Sequence, residues 1–232
     1  MLTRRILIAL TFATSLAAAA QAQAPAAPAA VPSGPPPAAS TNPKVVLSTA
    51  QGDITVELFV DKAPITAKNF LKYVDKKLYD GATFYRASKP KGQVSNDYGT
   101  VQGGLQNDPA KVLPPIPHES NLKTGILHTD GVISMGRHAP GTAQADWFIC
   151  VGDMSYLDAD PKDPKNPGFA AFGHVVSGMD VVQKIIALPT DPNRGEGAMK
   201  GEMLVRPVRI VKVSRVPVAP PAPAAAPPAA PN

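Results

Sequence analysis

A single cysteine stands among 232 residues, and that excludes an intrachain disulfide. Cys150 lies in the apolar run Trp147-Phe148-Ile149-Cys150-Val151. It reads as a small buried core residue, because no histidine or cationic setting nearby marks it as a nucleophile. Histidine is also scarce. His118, His128, His138 and His174 are scattered without ligand spacing, so no zinc site is expected. Residues 158–163 only faintly suggest a calcium loop: Lys162 takes a ligand position and the sixth position lacks glycine. The chain has no G-x-S-x-G and no Walker A motif. Gly195 and Gly197 do not follow a strand in a βαβ unit, which argues against a nucleotide site. No cofactor is expected. Runs of one charge are missing too. The formal net charge is +5, and +3 without residues 1–22, with acids interspersed among the bases. That balance gives no footprint for nucleic acid.

Proline, by contrast, is abundant and uneven. Seven of the 27 prolines fall between Pro25 and Pro43, and seven more between Pro217 and Pro231. Residues 23–43 and 217–232 therefore read as Ala/Pro-rich disordered spacers, too poor in large side chains to offset the entropy of ordering. Residues 44–216 form one domain, long enough to bury a core without staples. Residues 1–22 read as a secretory signal peptide: Arg4-Arg5, an apolar stretch from Ile6 to Ala20, then Ala20-Gln21-Ala22. Cleavage after Ala22 is favoured over Ala24, which would leave Pro25 just beyond the cut. The apolar stretch is short for a bilayer span, and no cysteine follows it, so no stable membrane anchor is expected. The expected destination is the periplasm or the exterior of a bacterium.

Within the domain, Val45 to Thr49 and Ile54 to Phe59 form a hairpin about Gln51-Gly52-Asp53. Ile54, Val56 and Leu58 alternate with polar residues. Pro64 suits the first turn of a helix whose apolar face carries Ala67, Phe70, Leu71 and Val74. Ser177-Gly178-Met179-Asp180 has the look of a capping box ahead of the stripe Val181, Val182, Ile185 and Ile186. Residues 107–124 read as mostly irregular. Further strands are predicted at Gly131 to Met135, Trp147 to Val151, Phe172 to Val176 and Val208 to Val213, with Pro207 at a strand start or edge. Pattern alone gives a mostly β domain with two helices.

Five segments carry the chemistry, in this order: Phe84-Tyr85-Arg86; Val101-Gln102-Gly103-Gly104; Val132-Ile133-Ser134-Met135-Gly136-Arg137; Asp146-Trp147-Phe148-Ile149-Cys150-Val151; and Phe169-Ala170-Ala171-Phe172-Gly173. Together they resemble the cyclophilin family of peptidyl-prolyl cis-trans isomerases, across nearly all of residues 44–216. The resemblance implies a closed eight-stranded antiparallel β-barrel capped by two α-helices. It also implies an enzyme that acts on proline-containing polypeptides and assists folding. Arg86 would be the catalytic donor to the prolyl nitrogen, and its planar, permanently charged fork suits that task. Gln102 would contact the substrate backbone and orient the arginine. Phe148 would floor the proline pocket, with Met135, Leu157 and Phe169 as walls and Phe84 beside Arg86. Gly136 and Arg137 would offer a strand edge to the substrate backbone.

Some positions depart from the family pattern. Asp146 stands where eukaryotic members have glutamine, and a carboxylate accepts but does not donate. Tyr156 replaces a tryptophan associated with cyclosporin, so weak binding of that drug is expected. Phe169 replaces a histidine. The loop between Arg86 and Gln102 is lengthened and puts Gly99 and Thr100 where Phe and Met usually line the pocket. The insert from Ala159 to Pro167 is longer as well. The alternative is a non-catalytic module of the same fold that holds proline segments as a chaperone; Arg86, Gln102 and Phe148 together favour catalysis. A purely structural protein tethered by its Pro/Ala arms leaves Arg86 unexplained. No heptad or long exposed apolar stripe calls for an oligomer, and a monomer is expected.

Overall fold

Alternating apolar residues build the first hairpin. In the computed structural model, which describes residues 41–217, Val45 and Leu47 of β1 (Lys44–Thr49) are buried, as are Ile54, Val56 and Leu58 of β2 (Gly52–Leu58). The signal segment, nearly all of the N-terminal spacer and the tail beyond Pro217 lie outside the described residues. Helix α1 (Pro64–Asp75) is followed by β3 (Thr83–Ser88) and β4 (Gly99–Gly104). Then come a one-turn helix α2 (Asn121–Thr124), β5 (Val132–Met135) and β6 (Trp147–Val151). The last elements of the described residues are β7 (Ala171–Ser177), α3 (Met179–Ile186), the two-residue β8 (Thr190–Asp191) and the long β9 (Met203–Arg215).

The strands pair in the order β1-β2-β7-β5-β6-β4-β3-β9, and β9 pairs back onto β1. Every pairing is antiparallel, so eight strands close into a barrel, with β8 outside it on β9. Closure pairs every barrel strand on both sides. Helix α3 touches β2 and β4, which stand diametrically opposite in the ring, so it crosses one end of the barrel. Its Val181, Val182, Ile185 and Ile186 are buried there. Helix α1 covers the other end. Its Phe70 meets Tyr79, Trp147 and Phe172 at ring-centroid distances of 5.0, 6.1 and 5.4 Å.

Three features differ from expectation. The two long helices are joined by a third, α2, whose single turn is too short to show a period. It is defined by its ends: Ser120 Oγ accepts from Leu122 N, and Gly125 closes the turn at φ +69°. The Ser177 capping box does not form. Ser177 still belongs to β7, and Gly178 at φ +92° turns the chain directly into α3; a Cβ there would lie 2.3 Å from Asp53 O. Finally, β9 begins five residues earlier than predicted. Pro207 is tolerated because the β3–β9 ladder is interrupted beside it: Val208 pairs with Phe84, and the next partner of β3 is Met203, opposite Arg86.

The start of α1 is held by a distant residue. Ala63 offers no side-chain cap, and Glu119 supplies one instead. Its carboxylate accepts from Ile65 N at 3.1 Å and from Thr66 N and Thr66 Oγ1 at 2.7 Å each. A negative charge there satisfies backbone donors that a helix cannot pair itself. Glu119→Ala is therefore expected to lower the unfolding free energy by about 1–2 kcal/mol, read from the urea midpoint. Glu119→Gln should lose less, because its amide oxygen still accepts.

Candidate active site

One extra residue decides which side chains reach the outer surface of the barrel. In β3, Phe84 lies opposite Gly103 and Arg86 lies opposite Gln102, so Tyr85 is a bulge with no partner of its own. Two rows of residues then run across neighbouring strands on opposite faces of the wall. Phe84, Gly103, Trp147 and Met135 form the inner row. Arg86, Gln102, Phe148 and Ser134 form the outer one. Gly103 is required inside: a Cβ there would sit 3.0 Å from the Trp147 ring and 3.2 Å from Phe84. The bulge also lets two consecutive residues reach Gln102. Arg86 Nη1 donates to Gln102 Oε1 at 2.7 Å, and Gln102 Nε2 donates to the Tyr85 hydroxyl at 2.7 Å.

The outer row lines a cleft of about 1010 Å3. Phe148, Leu157 and Phe169 make its apolar part, with the Phe148 and Phe169 rings edge to face at 5.5 Å. Behind Phe148 lie Cys150 and Met154, both fully buried; burial pushes the Cys150 thiol up to about 12. That thiol is protonated and inert at neutral pH. The Arg137 guanidinium stacks on Phe169 at 4.6 Å and donates to Gly168 O. Tyr156, Thr100, Ala198, Met199 and Met203 also line the cleft.

A polar network supports the floor from below. The His128 ring stacks beneath Phe148 with centroids 6.1 Å apart and planes at 17°. Nδ1 lies 2.7 Å from Asp158 Oδ1, and Nε2 lies 2.9 Å from Ser134 Oγ. A carboxylate only accepts, so Nδ1 carries the ring proton; Nε2 then accepts from the serine. Asp158 Oδ1 also accepts from His128 N and Asn121 Nδ2. Burial pushes the His128 pKa below its ordinary value, against the opposing pull of Asp158. Ser134 and His128 resemble a hydrolytic pair only on paper: their exposures are 0% and 1%, so no substrate reaches them.

Nine of the eleven residues expected at the site line this cleft: Arg86, Gln102, Gly136, Arg137, Asp146, Phe148, Tyr156, Leu157 and Phe169. Phe84 and Met135 do not. Both belong to the inner row and are fully buried in the barrel core. Asp146 is present but turned to another task. Its carboxylate accepts from Gln106 N at 2.8 Å and Asn107 N at 3.0 Å, fixing two residues held at φ +52° and +55°. Burial raises its pKa.

Sequence reasoning missed Glu202 and Tyr85. Glu202 stands in a loop with no periodic signal, just before β9, yet its Oε2 lies 2.8 Å from Arg86 Nε and 2.5 Å from Nη2. Tyr85 had a signal that was not used, since a hydroxyl beside Arg86 and one strand from Gln102 is placed to extend their chain. No group of three or more His, Cys, Asp or Glu side chains able to hold a metal occurs among the described residues.

Comparison with known proteins bears on the family and the fold. Residues 44–215 match the family described as cyclophilin type peptidyl-prolyl cis-trans isomerase/CLD. A peptidyl-prolyl cis-trans isomerase of Acinetobacter baylyi is 34% identical over 176 residues, covering 75% of this chain and 86% of its own length. Peptidyl-prolyl cis-trans isomerase B of Escherichia coli is 34% identical over 147 residues, 63% of this chain and 85% of its own. The fold matches a crystal structure of a cyclophilin type isomerase from Cryptosporidium parvum with a TM-score of 0.58 at 18% identity, covering 75% of this chain and 99% of that one. This chain belongs to the cyclophilin-type peptidyl-prolyl cis-trans isomerases, which rotate the peptide bond preceding proline.

Proposed function

We propose that Arg86 is the group that lowers the rotation barrier, acting on a prolyl ring seated on Phe148. Amide resonance sets that barrier at about 18–20 kcal/mol. Twisting the bond returns the lone pair to the prolyl nitrogen, where an N–H donor stabilises it. The hydrogen bond is stronger in the twisted state than in either planar isomer, which is the condition for catalysis. No bond is made or broken, so the reaction needs no nucleophile and no metal. The observation that carries the reading is the outer row: Arg86 and Phe148 flank Gln102 on adjacent strands and line one cleft.

The remaining roles follow the same geometry. Leu157 and Phe169 wall the ring. Gln102, already oriented by Tyr85, holds Arg86 and offers its amide to the substrate backbone. Gly136 and Arg137 continue past the end of the β5–β6 ladder at Met135, and the substrate backbone lies along them. The protein acts as a monomer on flexible proline-containing polypeptides, in the periplasm or outside the cell, after residues 1–22 are removed. The signal-like N-terminal segment supports that location.

Three outcomes are expected. Arg86→Ala should lower kcat/KM on an Ala-Pro peptide by about a hundredfold or more, in a protease-coupled or NMR exchange assay, with an unchanged circular dichroism spectrum. Arg86→Lys should recover little, since it keeps the charge and loses the fork. Equal turnover in wild type and Arg86→Ala removes Arg86 as the donor; unimpaired client refolding by an inactive Arg86→Ala would favour the chaperone role. Next, His128 is held neutral in the fold by burial. Between its depressed folded pKa and the unfolded value of about 6.5, the unfolded chain binds a proton that the folded chain does not, so stability rises with pH in that window and falls as pH drops. The urea midpoint should decline as pH is lowered below about 6.5, and His128→Asn should flatten that slope; a wild-type midpoint level across the window would show that His128 titrates alike in the folded and unfolded chains. Lastly, mass spectrometry of the exported protein should give a mature chain starting at Gln23, and retention of residues 1–22 would exclude the export reading.

A further inference from the structure

The guanidinium of Arg86 has five N–H groups, and three are committed. Nε donates to Glu202 Oε2 at 2.8 Å, Nη2 stands in ion-pair contact with the same oxygen at 2.5 Å, and Nη1 donates to Gln102 Oε1 at 2.7 Å. A fourth contact, from Nη2 to Ala198 O, is long at 3.5 Å. The acceptors come from both neighbours of β3: Gln102 from β4, and Glu202 from the residue before β9. Glu202 is itself braced. Its other oxygen accepts from Ser88 Oγ at 2.8 Å, and its backbone carbonyl accepts from Ala87 N at 3.0 Å. Both side chains are largely shielded, with 20% exposure for Arg86 and 24% for Glu202.

Resting on the reading of Arg86 as the donor, we propose that Glu202 is a positioning residue for isomerisation. Gripped along one edge by Glu202 and at the other by Gln102, the guanidinium plane cannot turn. The second N–H of Nη1 takes neither acceptor and is the one we assign to the prolyl nitrogen. An arginine side chain loses considerable rotamer freedom when it is ordered. Glu202 imposes that order before substrate arrives, so the twisted bond meets a donor already aligned. The carboxylate also offsets part of the arginine charge, which weakens capture of the substrate at a distance. The net gain therefore appears in kcat, not in KM.

The test compares wild type, Glu202→Ala, Glu202→Gln and Arg86→Ala for kcat and KM on the Ala-Pro peptide, together with the 15N–1H signal of Arg86 Nε. Glu202→Ala should lower kcat about ten- to a hundredfold with KM within about twofold. Its Nε–H signal should broaden into exchange with water. Glu202→Gln keeps an acceptor and should regain most of kcat. Ser88→Ala, which removes only the brace, should move kcat in the same direction by less and serves if Glu202→Ala does not fold. An unchanged or raised kcat in Glu202→Ala overturns the proposal, and so does a fall confined to KM. Failure of the underlying reading is separate: it shows as full turnover in Arg86→Ala, whereas a slow Arg86→Ala beside a fast Glu202→Ala sinks the positioning role alone.

Discussion

The bulge at Tyr85 is the constraint on which the rest of the site depends. A regular strand sends alternate side chains to opposite faces. A one-residue shift in pairing exchanges the faces of everything beyond it. The barrel applies that rule at Tyr85. On one side of the bulge, Phe84 faces inward and meets Trp147 at 5.2 Å, edge to face. On the other, Arg86 faces outward beside Gln102. The inner row gives the barrel its aromatic core and the outer row gives it a reactive surface. The donor is thereby mounted on a closed ladder, not on a loop, which suits a reaction governed by alignment.

Phe148 shows how the floor is kept firm without being sealed. Its ring must be open to a prolyl ring above and supported below. An all-apolar support would merge the pocket with the core. Instead, Ser134 turns outward from β5 and binds His128, and Asp158 fixes the other ring nitrogen. Each member is satisfied, so the buried polar groups carry little cost and hold one geometry. The insert that follows Asp158 is tied into the same network, because Asn121 Oδ1 accepts from Ala159 N at 2.8 Å. The one-turn helix α2 therefore has a use that its length conceals: it delivers Asn121 to the platform.

What could be read from the chain depended on how regular each segment was. Ile54, Val56 and Leu58 declare their face by alternation, and Val181, Val182, Ile185 and Ile186 declare theirs by helical spacing. The outer row was legible only through the ordered set of motifs, since Arg86, Gln102 and Phe148 come from three separate strands. Phe84 and Met135 were misplaced for a common reason. Both stand next to true cleft residues in sequence, and a strand puts such neighbours on opposite faces. For Phe84 the bulge hides that alternation, because an inserted residue leaves no compositional mark. For Met135 all four residues of β5 are buried, core on one side and platform on the other, so no polar alternation reveals which face is which. Glu202 was invisible because its place is set by the interruption of the β3–β9 ladder, a long-range property of the closed barrel.

The arginine's pairing with a carboxylate looks at first like a handicap, since it cancels charge that the reaction could use. Rotation about an imide-type bond develops no full charge, however. It localises a lone pair on nitrogen, and what meets it is one N–H at the right angle. A free guanidinium on a flexible stem has the charge but visits that angle rarely. One held by Glu202 and Gln102 gives up part of its field and keeps its direction. For a transition state that differs from the planar isomers mainly in the geometry of one acceptor, direction is the larger contribution, and the paired arrangement across β3, β4 and the residue before β9 is the one that supplies it.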